Sequence, residues 1–461
     1  MAADIFLFPL IHFRVEDWRC AMSRKKLILV NTVLLTISAL LLRVIGMVFQ
    51  AWLASHLGAE GIGLYQLAGS VTVLFSVFAV SGIRFAATKL VSEETTRQIG
   101  NAAAVIRSCA LYALFFGFIS AALLWHSAEP LGFLWVGDAR VVLSLRIASA
   151  AMPLIALSAV LNGYFTACGH IWKMVLVQFL VTLVGAGISI ALLLHIDLCD
   201  LEKTCAIITV GSVISEILGF VFLLLFYLEE SRHWRAKEEK TACLTKRMLS
   251  AALPLALSSY TRTALNTLEH LMIPKTLRLS GLSAEAALSG YGVVHGMALP
   301  AVLFPACLLF SLAEMIVPEL TRSKAQRQTA RISHIVRSCR AGTLIYASIT
   351  AVLLFCFASE IAVHIFHNVD CAKNIRLLAP LIPIMNLDTV TDGCLRGLGQ
   401  QSRVMTINIL DAALGVALVL LLLPINGLKG YIQMIWITET VNCMLSSFSL
   451  IRALNIEKSS D

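Results

Sequence analysis

The sequence predicts an all-α polytopic membrane protein, with twelve transmembrane helices in two pseudo-symmetric six-helix bundles. Three observations carry this expectation. Of 461 residues, 58% are hydrophobic and 14% charged, against about 25% charged in a soluble domain. Apolar runs of about twenty residues, each enough to cross a bilayer core, recur from end to end. The two halves of the chain also match one another at a constant spacing.

The spans are placed at 27–56, 62–88, 101–126, 140–162, 171–195, 204–228, 246–273, 286–316, 331–357, 374–395, 403–423 and 429–452. The longest polar connection, from Glu229 to Arg247, falls between spans six and seven. The expected organisation is therefore an N-terminal segment (1–26), a first lobe (27–228), an inter-lobe loop (229–245), a second lobe (246–453) and a short tail (454–461). Residues 1–21 break the pattern. Their apolar part is too short to span and lacks the basic start of a signal peptide. They read as a dispensable or mis-assigned extension before Met22, or as a short interfacial segment.

Lys and Arg set the orientation. One side holds Arg24, Lys25, Lys26, Lys89, Arg97, Lys173, the central basic loop, and Arg322, Lys324, Arg327 and Arg331. The other holds only Arg140, Lys203, Lys275, Arg278, Lys373, Arg376 and Lys429. Cytoplasmic segments carry the basic excess, so both termini are expected in the cytoplasm of a multi-pass plasma-membrane protein. The net charge of +8 is explained by these loops and gives no reason to expect nucleic-acid binding.

Ile106-Arg107-Ser108-Cys109 matches Val336-Arg337-Ser338-Cys339 at an offset of 230. At the same offset Arg146 meets Arg376, Pro153 meets Pro383, Asn162-Gly163 meets Asp392-Gly393, and Gly169 meets Gly399. Six spans per half is an even number, so the halves enter from the same side and are related by an axis along the membrane normal. Binding sites in such proteins lie between the halves near the midplane.

Span one carries Arg43 close to its middle, on a face shared with Thr32, Thr36, Gly46 and Gln50. A charge there costs roughly 3 kcal/mol or more, so it faces a cavity or a partner. Span seven, its repeat partner, carries Arg262 on a polar face with Ser259, Asn266 and Glu269. Arginine holds phosphate in bidentate fashion and does not shed its charge. Arg43 and Arg262, with Gln50 and Asn266, are therefore the candidate binding residues for a phosphate or diphosphate. The competing reading pairs each arginine with an acid such as Glu269 that merely holds helices together.

Glu269, Asp388 and Asp392 are candidate sites for a coupling H⁺ or Na⁺, and no other cofactor is expected. Asp388 and Asp392 share a helix face, although Asp392 stands at the repeat position of Asn162, which favours a helix-ending role. Glu216, His295, Glu314, Asp411, Glu439 and Asn442 are further polar groups inside spans. His364 and His367 have no third ligand in view and do not make a metal site. Cys199 and Cys205 bracket one loop and can form a disulfide or remain free thiols. No Walker A loop is present, so direct drive by ATP is not expected. The acid clusters a membrane glycosyltransferase needs are also missing from the loops.

The stretch from Leu41 to Glu93 contains the loop Gly58-Ala-Glu-Gly61-Ile-Gly63-Leu64-Tyr65 and the run Lys89-Leu90-Val91-Ser92-Glu93. With Asp392-Gly393 and Arg396-Gly397-Leu398-Gly399-Gln400, it resembles the sporulation-protein and polysaccharide-flippase branch of the multidrug/oligosaccharidyl-lipid/polysaccharide exporter superfamily. The resemblance covers residues 24–455. It implies two six-helix bundles that rock between inward- and outward-open states, and a lipid-linked (undecaprenyl-diphosphate) oligosaccharide or cell-wall precursor as the partner moved. It implies transport without catalysis, by a protein expected to work as a monomer. Many relatives have fourteen spans where twelve are counted here, which weakens the polyprenyl-lipid expectation. A cation-coupled multidrug antiporter of the same architecture is the alternative, and a membrane-embedded enzyme acting on lipid-linked sugars is a third reading.

Overall fold

The computed structural model describes residues 24–97, 102–194, 200–231 and 241–459. Among them the secondary structure is helical throughout, with no strand. The first half holds α1 (Arg24–Val80), α2 (Ile83–Arg97), α3 (Ala102–Pro130), α4 (Val142–Ser149), α5 (Met152–Cys168), α6 (Ile171–Leu193) and α7 (Leu201–Ser231). The second holds α8 (Thr241–Leu279), α9 (Ala284–Tyr291), α10 (Leu299–Leu303), α11 (Cys307–Ala325), α12 (Thr329–Cys356), α13 (Ala358–His364), α14 (Val369–Leu378), α15 (Ile382–Gly397) and α16 (Gln401–Ser459). The expected segments at 1–23 and 232–240, and Cys199, lie outside the described residues; Cys205 is a buried free thiol.

Among the described residues seven helices are long and apolar enough to cross a membrane, and a pair bent by 48°, Ala139–Ser149 with Met152–Cys168, passes the same test taken together as one span. Two of the seven are far longer than one crossing requires. At 1.5 Å per residue, the 57 residues of α1 and 59 of α16 exceed twice the bilayer core of about 30 Å. Each is interrupted once, at Gly58 (φ 69°) and Gly427 (φ 56°), so each supplies two of the expected spans. The expected spans that fall short of this apolar standard are α8 and the α14–α15 pair. These carry Arg262 and Glu269, and Asp388 and Asp392.

Large apolar side chains such as Phe115, Phe118, Trp125, Ile345, Val352 and Phe448 point outward and stay exposed, while the interior is rich in Ala, Gly and Leu. That inversion suits a bilayer solvent, in which lipid is as apolar as the core and close packing of small residues holds helices together.

The internal repeat is present in three dimensions. Helices α5 and α15 begin at Met152 and Ile382, each with proline in the first turn, and end beside left-handed glycines, Gly169 (φ 74°) and Gly399 (φ 76°). Arg146 donates to Glu129 at 2.6 Å, and its repeat partner Arg376 donates to Ser359, the partner position of Glu129, at 2.7 Å.

The halves meet along two seams. In one, α8 runs beside α1 and α2. Thr267 Oγ1 donates to the Ser70 carbonyl at 3.1 Å, and Arg278 reaches the Gly137 carbonyl at 3.3 Å. In the other, both rods of α1 rest on α9 and the segment after it, and Gln50 Nε2 donates to the Gly296 carbonyl at 3.0 Å. The backbones nearly touch there: a Cβ on Gly63 would lie 2.5 Å from the Leu288 carbonyl oxygen. Only glycine allows that approach.

Candidate functional site

A cavity of ≈ 770 Å³ lies along the first seam. Its one wall is the second rod of α1 with the start of α2, including Tyr65, Gln66, Ser70, Ser76, Arg84 and Phe85. Its other wall is α8, through Ser259, Arg262, Thr263, Asn266, Thr267 and His270; His295 joins from the second seam. The lining is therefore polar along α8 at steps of three and four residues, the spacing that puts side chains on one helix face.

Arg262 is exposed to this cavity and, among the described residues, has no hydrogen bond or ion pair. It also borders a smaller cavity of ≈ 270 Å³ lined by Phe85, Ser258, Ser259, Arg396, Asn408 and others. Arg84 lines the larger cavity, and its guanidinium likewise makes no hydrogen bond or ion pair among the described residues. Arg396 has one acid near it, Asp392 at 3.8 Å. Three guanidiniums thus border this space, and Asp392 and Asp411 lie near enough to Arg262 to interact with its charge without a direct ion pair. By contrast Lys173, buried near the end of α7, is matched by Glu230 at 2.7 Å.

Of the residues selected from the sequence, the structure brings Arg262 and Asn266 onto one cavity wall. Arg43 is not among that cavity's lining residues; its guanidinium lies over the Phe310 ring, 4.3 Å from the centroid, on the second seam. Gln50 is engaged with the Gly296 carbonyl. Glu269 faces away from the cavity, against Gly415 of α16. Asp388 is buried and accepts from Asn442 Nδ2 at 3.0 Å and Ser446 Oγ at 2.6 Å. Asp392 is buried one turn further on, beside Arg396.

Arg84, Tyr65, Gln66 and His270 are cavity residues that the sequence reasoning passed over. For Arg84 the signal was available: it lies inside the expected second span and falls under the same rule that singled out Arg43. For His270 it was not, because its importance comes from His295 across the helix pair.

An all-helical membrane protein of two repeated halves with a polar cavity between them has the architecture of a membrane exporter. The chain belongs to the polysaccharide biosynthesis protein family, whose model matches residues 28–306. It is 22% identical over 417 residues to stage V sporulation protein B of Bacillus subtilis (strain 168), covering 88% of this chain and 80% of that protein. Sporulation protein YkvU of the same organism is 22% identical over 375 residues, covering 80% and 82%. Among solved structures, an inward-facing multidrug-resistance MATE family transporter of the MOP superfamily aligns with TM-score 0.72 and 12% identity. The alignment covers 92% of this chain and 99% of that one. These place the chain in the flippase branch of that superfamily.

Proposed function

We propose that this protein flips a lipid-linked oligosaccharide, an undecaprenyl-diphosphate sugar or related cell-wall precursor, across the plasma membrane with both termini in the cytoplasm. The observation that carries the reading is Arg262, whose guanidinium makes no direct ion pair among the described residues and shares its cavity with Arg84, likewise in no ion pair among them. Guanidiniums held in no direct ion pair favour a ligand that brings its own negative charge, and a diphosphate offers bidentate acceptors. The same arrangement disfavours the organic cations of a multidrug antiporter, which the two arginines repel. Arg43 enters as a second-seam cation, available when the lobes rearrange. Asn266 supplies a neutral donor and acceptor for sugar hydroxyls beside Arg262. Glu269, Asp388 and Asp392 form the acid-bearing side of the second lobe, where a coupling H⁺ or Na⁺ would bind.

The test is flipping of a fluorescent undecaprenyl-diphosphate oligosaccharide in proteoliposomes. Wild-type protein is expected to move the lipid chemically intact, and the Arg43→Ala/Arg262→Ala double variant to be inactive. Full activity in the double variant overturns the reading.

A further inference from the structure

We infer that His270 and His295 form a proton-binding site that couples the cavity to the glycine seam between the two halves. The inference rests on the transport reading above and adds to the acid-bearing side of the second lobe a separate proton site that acts on the seam. The two imidazoles come from different helices, line the same cavity, and stand 4.4 Å apart between ring centroids. His295 is stacked on Tyr291 at 5.2 Å with planes 11° apart, and His270 Nδ1 is 3.4 Å from the Tyr291 hydroxyl. Among the described residues His295 has no hydrogen-bond partner. It faces cavity space with an unused nitrogen.

The location gives the pair leverage. His295 lies at the centre of a π-helical segment, Gly292–Ala298. Such segments break the regular helical register and recur at functional sites. The first half rests on this segment through two glycines that flank His295. Gly292 lies against Ala59 and Gly63, and a Cβ on Gly296 would meet Ile62 at 2.9 Å. Gln50 ties to the Gly296 carbonyl itself. A displacement of His295 therefore moves the seat of α1 directly.

No described carboxylate contacts the pair, although Glu269 lies near enough to act on the tyrosines behind it, Tyr291 and Tyr431. On α8, Glu269 turns to Gly415 and Arg262 lies two turns away along the cavity wall. From α16, Tyr431 stacks behind Tyr291. From α1, Tyr65 and Gln66 line the cavity. From α14, Asp370 and Lys373 border a separate cavity on the Val293 side. Protons added to both rings repel at this separation with no acid in contact to offset them, whereas opening the seam admits water around them. A proton that prefers the open form shifts the equilibrium toward it. Acid therefore unseats the seam, and neutral pH closes it.

The test uses full-length protein in nanodiscs without any sugar lipid. Spin labels are placed at Leu134→Cys and Leu279→Cys, positions 67% and 71% exposed on the two halves, with exposed Cys356 replaced by Ser. Distance distributions are recorded at pH 8 and pH 5. The wild type is expected to gain a longer-distance population at pH 5, and His270→Gln and His295→Gln each to lose most of that gain. A pH-independent wild-type distribution overturns the inference without recourse to any histidine variant. So does a full response in both single variants. Because no substrate is present, failure of the flipping assay leaves this result standing, and the reverse holds equally.

Discussion

Spans one and seven occupy equivalent places in the two halves, and each carries an arginine at membrane depth, yet their surroundings differ. Arg262 stands in a polar cavity with Asn266, Ser259 and Arg84, in no direct ion pair among the described residues, with Asp392 and Asp411 acting on it from a distance. Arg43 lies over an aromatic face, Phe310. The repeat fixes depth and register, and the neighbours decide what the charge is for. A cation on an aromatic ring is already partly satisfied, by about 0.5–2 kcal/mol depending on exposure. A cation open to a cavity is available to a ligand. The largest predicted effect follows: Arg262→Ala removes charge-assisted bonds worth about 1.5–3 kcal/mol each, so flipping at low substrate concentration falls roughly 100-fold. Arg43→Ala is expected to lose less than about tenfold. Equal losses in the two single variants would erase the distinction.

The second difference lies behind span seven. The repeat position of Asp388 in the first half is Ser158, and that of Asp392 is Asn162. One half thus carries buried acids where the other carries neutral groups. Asp388 organises Asn442 and Ser446 of the last helix by two hydrogen bonds, while the Ser158 hydroxyl is buried with no partner among the described residues. Converting the second half to the pattern of the first, by Asp388→Ser, strands those two donors in the interior and is expected to cost about 2 kcal/mol. The measurement is thermal unfolding of purified protein in detergent. An unchanged midpoint would mean that the acid contributes nothing to the scaffold and exists for ion coupling alone.

How far the sequence discloses these contrasts depends on which interactions are local. Hydropathy locates the spans because lipid contact is a property of each helix by itself. The offset of 230 anticipates that α5 and α15 end alike at Gly169 and Gly399, since helix stops are written within a few residues. The polar face of span seven is likewise visible, because residues three and four apart share a side. What lies across a seam is not. Phe310 beneath Arg43, His295 beside His270, and the π-helical turn at Gly292–Ala298 all depend on contacts between residues distant in the chain. Arg84 is a different matter. Its position inside an apolar run was legible, but the break at Ser81 and Gly82, both with positive φ, is what turns α2 so that Arg84 meets the cavity.

The smallest predicted effect concerns how the far end of span seven is held. Arg278, at the last turn of α8, reaches the Gly137 carbonyl through both terminal nitrogens, at 3.3 and 3.4 Å. The neighbouring Asp138 accepts from the Arg140 backbone at 3.0 Å and from its guanidinium at 2.6 Å, and Arg140 also reaches Glu60 at 2.6 Å. Burial pushes the Asp138 carboxyl up, but the hydrogen bonds and charge of Arg140, with the charge of Arg278, outweigh it and hold the group below the usual carboxylate range. A depressed folded-state value means that the stabilisation is present above the ordinary aspartate value of about 3.9. It is lost as pH falls through the lowered one. Arg140 is 35% exposed, so solvent screening limits the contribution to about 1 kcal/mol or less. Asp138→Asn is therefore expected to lower the unfolding midpoint slightly at pH 7 and to flatten its decline below about pH 4. Thermal scans of both proteins across pH 3 to 7 check this, and parallel curves would show that Asp138 carries no charge-dependent share of the tie.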